Sequence, residues 1–454
     1  RPDAYHVTFT EDRAVFERRD GTLRTRLRVM VSPEDDAELR SITIINTGKR
    51  DRDIDVSSYS ELVLAPAASD LAQTAFSKLF VQTEYVPRYG ALIATRRRRD
   101  PDEPEVWAGQ QMIVEGQELQ PQQYETDRAR FLGRGGSVRA PAAVHTAEPL
   151  SNSVGTVLDP VFVLRSRVRI PPGGTVRLSC WTVAASTRQR VCELLDKHHD
   201  VSSEQRVETL AWIHAQAQLL HLGISHDEAN LFQRLAGHVL YTSQALRPSA
   251  DAIERGAGPR DALWAEGISG DRPIVVLRIE HREDLAVLRQ LLQAHEYLRL
   301  KHLLMDLVII NDRAASYVQD LQTDIDTAVR TSHTRLHLGV QEARGSIFTL
   351  RADLISEQTR GVLSAVARVV IVADRGSLAA QLDRLVDHRP ETSKADTYSP
   401  SGRRAQPAPP RGQAKTAPST DLEFFNGLGG FGDEGREYLV QLQGDEVTPA
   451  PWIN

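Results

Sequence analysis

The sequence predicts an α+β multidomain protein: an antiparallel β-supersandwich, a helical linker, a small parallel α/β domain and the start of a second β-sandwich. Three observations carry this. Residues 1–185 are a succession of short runs with a period of two, cut by turn signals. From about 187 the apolar residues recur at helical spacing instead. Between 273 and 373 four continuous apolar runs alternate with helical stretches, the pattern of a parallel sheet covered on both faces.

In the β region, Leu23, Thr25, Leu27, Val29 and Val31 alternate with Arg24, Arg26, Arg28 and Met30. The first set is expected on a buried face and the second outside. Similar runs stand at 38–46, 53–64, 79–86, 105–115, 160–170 and 175–184. Turn signals separate them at Asp20-Gly21, Asn46-Thr47-Gly48, Gly90 and Pro171-Pro172-Gly173-Gly174.

Val191, Leu194 and Leu195, then Leu210, Ile213, Ala217 and Leu220, mark the apolar positions of the first helices. A further helix is expected over 226–241, with Leu231, Leu235, Val239 and Leu240 apolar and Asp227 and Glu228 in its first turn. The apolar runs Ile274–Leu277, Leu307–Ile310, Ile347–Leu350 and Val369–Val372 predict strands, with helices at 284–300, 314–330 and 355–367 between them.

Residues 388–420 are rich in Pro, Ser, Arg and Lys and lack periodicity. Six basic residues (Arg389, Lys394, Arg403, Arg404, Arg411, Lys415) against two acidic (Glu391, Asp396) leave +4 there. Such a stretch is expected to be a disordered linker spanning roughly 30 Å. The predicted divisions are thus 1–185 supersandwich, 186–245 helical linker, 246–387 α/β domain, 388–420 linker and 421–454 start of a second sandwich.

The whole chain bounds what these parts do. Its 454 residues exceed what one hydrophobic core ordinarily supports. A net charge of -6 gives no electrostatic ground for a nucleic-acid partner. Two cysteines, Cys180 and Cys192, provide neither a disulfide framework nor a zinc site. No apolar run reaches the roughly 20 residues that span a bilayer. The start at Arg1-Pro2-Asp3 without Met, and an end at Pro451-Trp452-Ile453-Asn454 without a closing element, predict a piece of a longer protein.

Few motifs suggest chemistry. Asn426-Gly427-Leu428-Gly429-Gly430-Phe431 is glycine-rich, but turn and strand residues follow it where a phosphate cradle needs a helix. His333 and His337 stand four apart with Glu342 beyond, in surroundings that supply no further ligand; no metal is expected. The loop Glu280-His281-Arg282 has no glycine, so a dinucleotide fingerprint is absent and no cofactor is expected. The segment Tyr124-Glu125-Thr126-Asp127-Arg128-Ala129-Arg130-Phe131-Leu132-Gly133-Arg134-Gly135 is more specific. It combines aromatic rings, carboxylates and guanidinium groups, which stack on sugars and hydrogen-bond their hydroxyls. The same composition also suits a strand and turn locked by internal Asp–Arg pairs. Trp107, Tyr124, Asp127 and Arg128 are the candidate carbohydrate contacts.

Tyr124–Gly135 resembles the Glu-Thr-Asp-Arg…Phe-Leu-Gly-Arg-Gly segment of the supersandwich domain of glycoside hydrolase family 94. That family includes cellobiose and chitobiose phosphorylases and the cyclic β-1,2-glucan synthases. Val31–Asp36, Leu64–Ala68, Ala75–Val81, Leu263–Asp271, Phe424–Phe431 and Thr448–Asn454 resemble the synthase branch. The resemblance implies a parent at the cytoplasmic side of the inner membrane that polymerises glucose from a UDP-sugar. It also implies chain-length control by phosphorolysis, with a general-acid Asp in an (α/α)6 barrel. The family's Asp-Trp-Asn-Asp-type barrel segment has no counterpart here, so no catalytic residue is carried over. The implied partners are a β-glucan oligosaccharide and the remaining domains of the parent synthase. A stand-alone carbohydrate-binding or scaffold protein derived from that family is the alternative.

Overall fold

The computed structural model describes residues 2–98, 100, 102–146, 148–200, 202–241, 244–313, 320–334, 345–387, 422–432 and 436–442. They fall into two units, Arg1–His388 and Arg389–Asn454. The expected linker at 388–420, His337, Glu342 and Thr448–Asn454 lie outside the described residues.

The first unit opens with strands β1 (Ala4–Phe9), β2 (Arg13–Asp20), β3 (Leu23–Val31), β4 (Ala37–Asn46), β5 (Arg52–Ser57) and β6 (Ser60–Glu61). Short helices α1 (Ala67–Ala72) and α2 (Thr74–Lys78) lead to β7 (Val81–Val86), β8 (Ala91–Arg96), β9 (Trp107–Glu115), β10 (Gln117–Glu118) and β11 (Gln123–Asp127). Helices α3 (Arg128–Leu132) and α4 (Ala142–His145) precede the long strands β12 (Pro160–Ile170) and β13 (Thr175–Ala185). One antiparallel sheet has the order β1-β2-β3-β4-β13-β9-β8-β7; in the second, β12 pairs with β10, β11, β5 and β6.

The alternation along these strands divides two cores. Ile44, Leu92, Ala94, Met112, Val176 and Leu178 of the first sheet meet Phe162, Leu164, Val168 and Ile170 of the second. The opposite face of the first sheet presents Met30, Leu39, Ala91, Ile93, Trp181 and Val183 to helices α5 (Arg188–Lys197) and α6 (Ser202–Leu222). Because helices cover that second face, the expected one-sided reading of β3 fails. Met30 is buried, whereas Val31 at the strand end is 63% exposed.

Helix α6 also departs from expectation. Its buried side is Glu204, Val207, Ala211, Ala215 and Leu219. Ile213 and Leu220, expected inward, are 49% and 84% exposed. The helix carries apolar residues on two faces, and the face with two alanines and the Glu204 carboxylate is the one that packs. Helix α7 (His226–Leu240) begins with a capping box: Ser225 accepts from the Glu228 backbone N–H while the Glu228 carboxylate accepts from the Ser225 N–H.

Beyond α8 (Ala250–Arg255), strands β14 (Ile274–Ile279), β15 (Asp306–Asn311), β16 (Ile347–Arg351) and β17 (Val369–Val372) form a parallel sheet of order β16-β15-β14-β17. Helices α9 (Leu285–Leu300), α10 (Asp320–Thr334), α11 (Glu357–Val366) and α12 (Leu378–Asp387) alternate with the strands. Val275, Leu277, Leu307 and Ile309 point into one core, Ile274, Val276, Val308 and Ile310 into the other, which is why the sequence reads as unbroken apolar runs. In the second unit, β18 (Gly429–Gly432) and β19 (Glu437–Val440) form an antiparallel pair. Asn426 Oδ1 accepts from the Leu428 and Gly429 N–H groups and closes the turn before β18. The α+β multidomain architecture, with supersandwich, helical segment, parallel α/β sheet and second antiparallel sheet, is the one observed. Among the described residues no helix is long and apolar enough to cross a membrane.

Candidate functional site

The Tyr124–Gly135 segment is a strand that turns into a helix. β11 pairs with β12 through Gln123–Arg165, Tyr124–Leu164 and Glu125–Val163, and the register then shifts before Asp127 meets Pro160. That irregularity ends the ladder and starts α3. Asp127 is the N-cap of α3, its Oδ1 accepting from the Ala129 N–H at 2.9 Å. Its other oxygen lies 3.6 Å from Arg130 Nε.

Arg128, at the first position of α3, reaches across to β6. Its Nε donates to Tyr59 Oη at 3.2 Å and to Glu61 Oε1 at 3.0 Å, and Nη1 to Asp159 Oδ2 at 3.3 Å. Tyr59 Oη itself donates to Glu61 Oε1 at 2.8 Å, and Lys78 Nζ to Asp159 Oδ1 at 2.7 Å. The Tyr59 ring stacks on Phe131, with centroids 5.5 Å apart. The Tyr59 hydroxyl and the Arg128 guanidinium hold Glu61 below the usual carboxylate range, despite partial burial. Glu61 is therefore anionic at neutral pH and has no proton to give as a general acid. Burial and the adjacent Glu61 push the Tyr59 phenol up.

Asp127 and Arg128 are thus adjacent, whereas Tyr124 turns toward the sandwich interior. Its ring lies on Tyr85 at 4.0 Å and 15°. Trp107 is on the first sheet, beside the core under α5, with Nε1 donating to Glu105 Oε1 at 2.6 Å. The four candidate contacts occupy three environments. Tyr59, Glu61, Lys78 and Asp159 complete the Arg128 cluster and are distant in sequence; three arginines (Arg128, Arg130, Arg134) against two acids (Glu125, Asp127) are the one local signal that acidic partners exist. Among the described residues no group of three His, Cys, Asp or Glu side chains stands close enough to hold a metal ion.

Residues 1–201, which hold the two-sheet sandwich, match the family model of the glycosyl hydrolase 94 supersandwich domain. The chain is also related to a bacterial cyclic glucan synthase. Across 98% of its length it is 37% identical to the cyclic β-(1,2)-glucan synthase NdvB of Rhizobium meliloti (strain 1021), and it spans 16% of that protein. It is 26% identical over 195 residues to the solabiose phosphorylase of Paenibacillus borealis, covering 43% of this chain and 24% of that one. A bacterial glucoamylase solved in complex with acarbose aligns with a TM-score of 0.32 at 7% identity, over 51% of this chain and 32% of its own.

Proposed function

We propose that this chain is the non-catalytic sandwich and spacer portion of a cyclic β-1,2-glucan synthase, acting in glucan synthesis and in chain-length control by phosphorolysis. The observation that carries the reading is the 37% identity along 98% of the chain to a glucan synthase of which it spans 16%. The Arg128 cluster supports the non-catalytic part: its carboxylates are already bound by Arg128, Lys78 and Tyr59, and Glu61 is held ionised. Divisions at 185, 245, 387 and 420 belong to the same proposal, as does a parent protein at the cytoplasmic face of the inner membrane. The partners are a β-glucan oligosaccharide and the parent's other domains. Trp107, Tyr124, Asp127 and Arg128 are its weak sugar contacts, weak because a sugar must displace the hydrogen bonds of Trp107, Asp127 and Arg128 and the stacking of Tyr124 on Tyr85.

The test is purified chain incubated with UDP-glucose, and separately with β-1,2-glucan and phosphate. No release of UDP or glucose 1-phosphate is expected. Turnover abolished by Asp312→Asn or Asp374→Asn, at the carboxyl ends of β15 and β17, overturns the reading and makes the α/β part an enzyme.

A further inference from the structure

The outer face of β12 carries arginines at alternate positions, Arg165, Arg167 and Arg169, opposite Ser57, Asp55 and Asp53 of β5. Arg167 and Arg169 each grip the facing aspartate with two nitrogens at 2.7–2.9 Å. Arg165 faces a serine instead, and it is the buried member, 6% exposed. Its Nε donates to Ser57 Oγ at 3.2 Å and its Nη2 to the Ala143 carbonyl at 2.7 Å. Among the described residues Nη1 has no hydrogen-bond partner. Nη1 is not sealed from solvent, so it stands open to a ligand that can accept from it.

Arg165 lines a cleft of about 210 Å³ together with Asp55, Gln120, Gln123, Glu148 and Arg167. Gln123 uses its carbonyl oxygen to accept from the Leu150 N–H at 3.0 Å, which leaves its amide nitrogen for the cleft. Two cations and two carboxylates cancel, so the cleft selects a neutral ligand over an anion. Planar amide, guanidinium and carboxylate groups match the paired hydroxyls of a sugar ring. Pro121 and Pro149 add apolar walls for its C–H faces. The volume lies below the roughly 300–1,000 Å³ of drug-sized sites, which fits one ring rather than a chain.

We propose that this cleft is a subsite for one monosaccharide unit of a neutral oligosaccharide. Arg165 and Gln123 donate to its hydroxyls, and Asp55 and Glu148 accept from them. The choice of a glucosyl unit rests on the function proposed above. The cleft itself is separate from Arg128, Tyr124 and Trp107.

The full chain is titrated with the β-1,2-linked glucose disaccharide sophorose, and in parallel with inorganic phosphate, by saturation-transfer NMR. Saturable millimolar binding of the disaccharide is expected, weakened roughly tenfold or more by Arg165→Lys, which keeps the charge and loses the fork. Gln120 is exposed and makes no side-chain hydrogen bond among the described residues, so Gln120→Ala leaves the fold intact and is expected to weaken binding as well. Glu193→Ala, on the exposed side of α5, is expected to leave this binding unchanged. Saturation by phosphate in place of the disaccharide overturns the proposal. So does disaccharide binding that survives Gln120→Ala and Arg165→Lys but is lost in Arg128→Ala, an outcome that leaves the proposed function standing. Absence of any binding up to about 50 mM refutes the cleft, while the turnover assay decides the function independently.

Discussion

The imidazole of His198 lies flat against the indole of Trp181, ring centroids 4.1 Å apart and planes 16° from parallel. Both rings are buried in the core beneath the first sheet's helices. His198 ends α5, and its Nε2 stands 3.3 Å from Asp35 Oδ2 without the alignment of a hydrogen bond. Burial pulls the imidazole below its ordinary value and outweighs the opposing pull of Asp35, while Lys197 adds to the lowering. The unfolded chain takes up this proton near pH 6.5. Stability from a neutral His198 is therefore complete above about 6.5 and is lost as pH falls through the lower folded value. His295, buried with Nε2 against the Met305 carbonyl, shifts in the same direction. The urea midpoint is expected to drop between pH 7.5 and 5.5, and His198→Phe to remove part of that slope. An unchanged slope in the variant would place the acid sensitivity elsewhere.

Helix α6 is anchored through a buried carboxylate. Glu204 accepts from Ser41 Oγ at 2.6 Å, Ser179 Oγ at 2.6 Å and Arg28 Nη2 at 2.5 Å, all from the first sheet. Arg28 also binds Glu208, as does Arg13. Removing Glu204 leaves two hydroxyls and part of a sheltered guanidinium without their acceptor. Glu204→Ala is expected to cost about 3 kcal/mol in urea unfolding. A loss below about 1 kcal/mol, the size of an exposed pair, would show that the serines and Arg28 re-pair without it.

Gly109 is the point where α5 comes down on β9. A Cβ there stands 2.8 Å from Val191 Cγ1, 3.2 Å from Val183 Cγ2 and 3.3 Å from Leu195 Cδ1. Gly109→Ala is expected to destabilise by roughly 1–3 kcal/mol through overpacking. Adding Val191→Ala removes the nearest methyl group, so the pair should cost less than the sum of the two single changes. Strict additivity in the double variant would rule out this contact as the cause.

The α/β part is legible because strands covered on both faces leave short apolar runs, and these runs alternate with helical stretches. Ile274–Leu277, Leu307–Ile310, Ile347–Leu350 and Val369–Val372 are all strands. The supersandwich was legible as strands but not as layers. Period-two alternation assigns one inner face, and the first sheet has two, so Met30 is buried on the face that alternation alone leaves outside. On α6 two apolar faces competed, and what decided between them was Glu204, whose partners Ser41 and Ser179 are far away in sequence. The Ser225–Glu228 capping box was written locally and carries its own signature. The partners of Arg128 were not, since Glu61 and Asp159 reach it only once β6 and β12 are paired. Arg165 stood out in no local pattern, because its singularity lies in the serine across the ladder.

Glu125, the residue before the register shift, pins residues 151–153 against β11. Its Oε1 accepts from the Thr126 N–H at 2.9 Å, the Asp127 N–H at 3.0 Å and the Ser153 hydroxyl, and its Oε2 from the Ser151 hydroxyl. Burial pushes this carboxyl up, but the four donors outweigh it and hold it below its usual value. Its contribution is thus present above about pH 4.3 and is lost as pH falls through the lower folded value. A glutamine keeps an acceptor at the Oε1 position for the two fixed backbone N–H groups. Its amide nitrogen then faces Ser151, whose hydroxyl can rotate to accept. Glu125→Gln is expected to cost about 1 kcal/mol, the loss of charge assistance alone, and to remove this residue's share of the dependence below pH 4.3. Glu125→Ala strands two buried N–H groups and two hydroxyls and is expected to cost about 3 kcal/mol. Urea unfolding of both variants at pH 7 and pH 4 separates the cases. Equal losses in the two variants would mean that the charge, rather than the pair of backbone N–H groups, holds this segment in place.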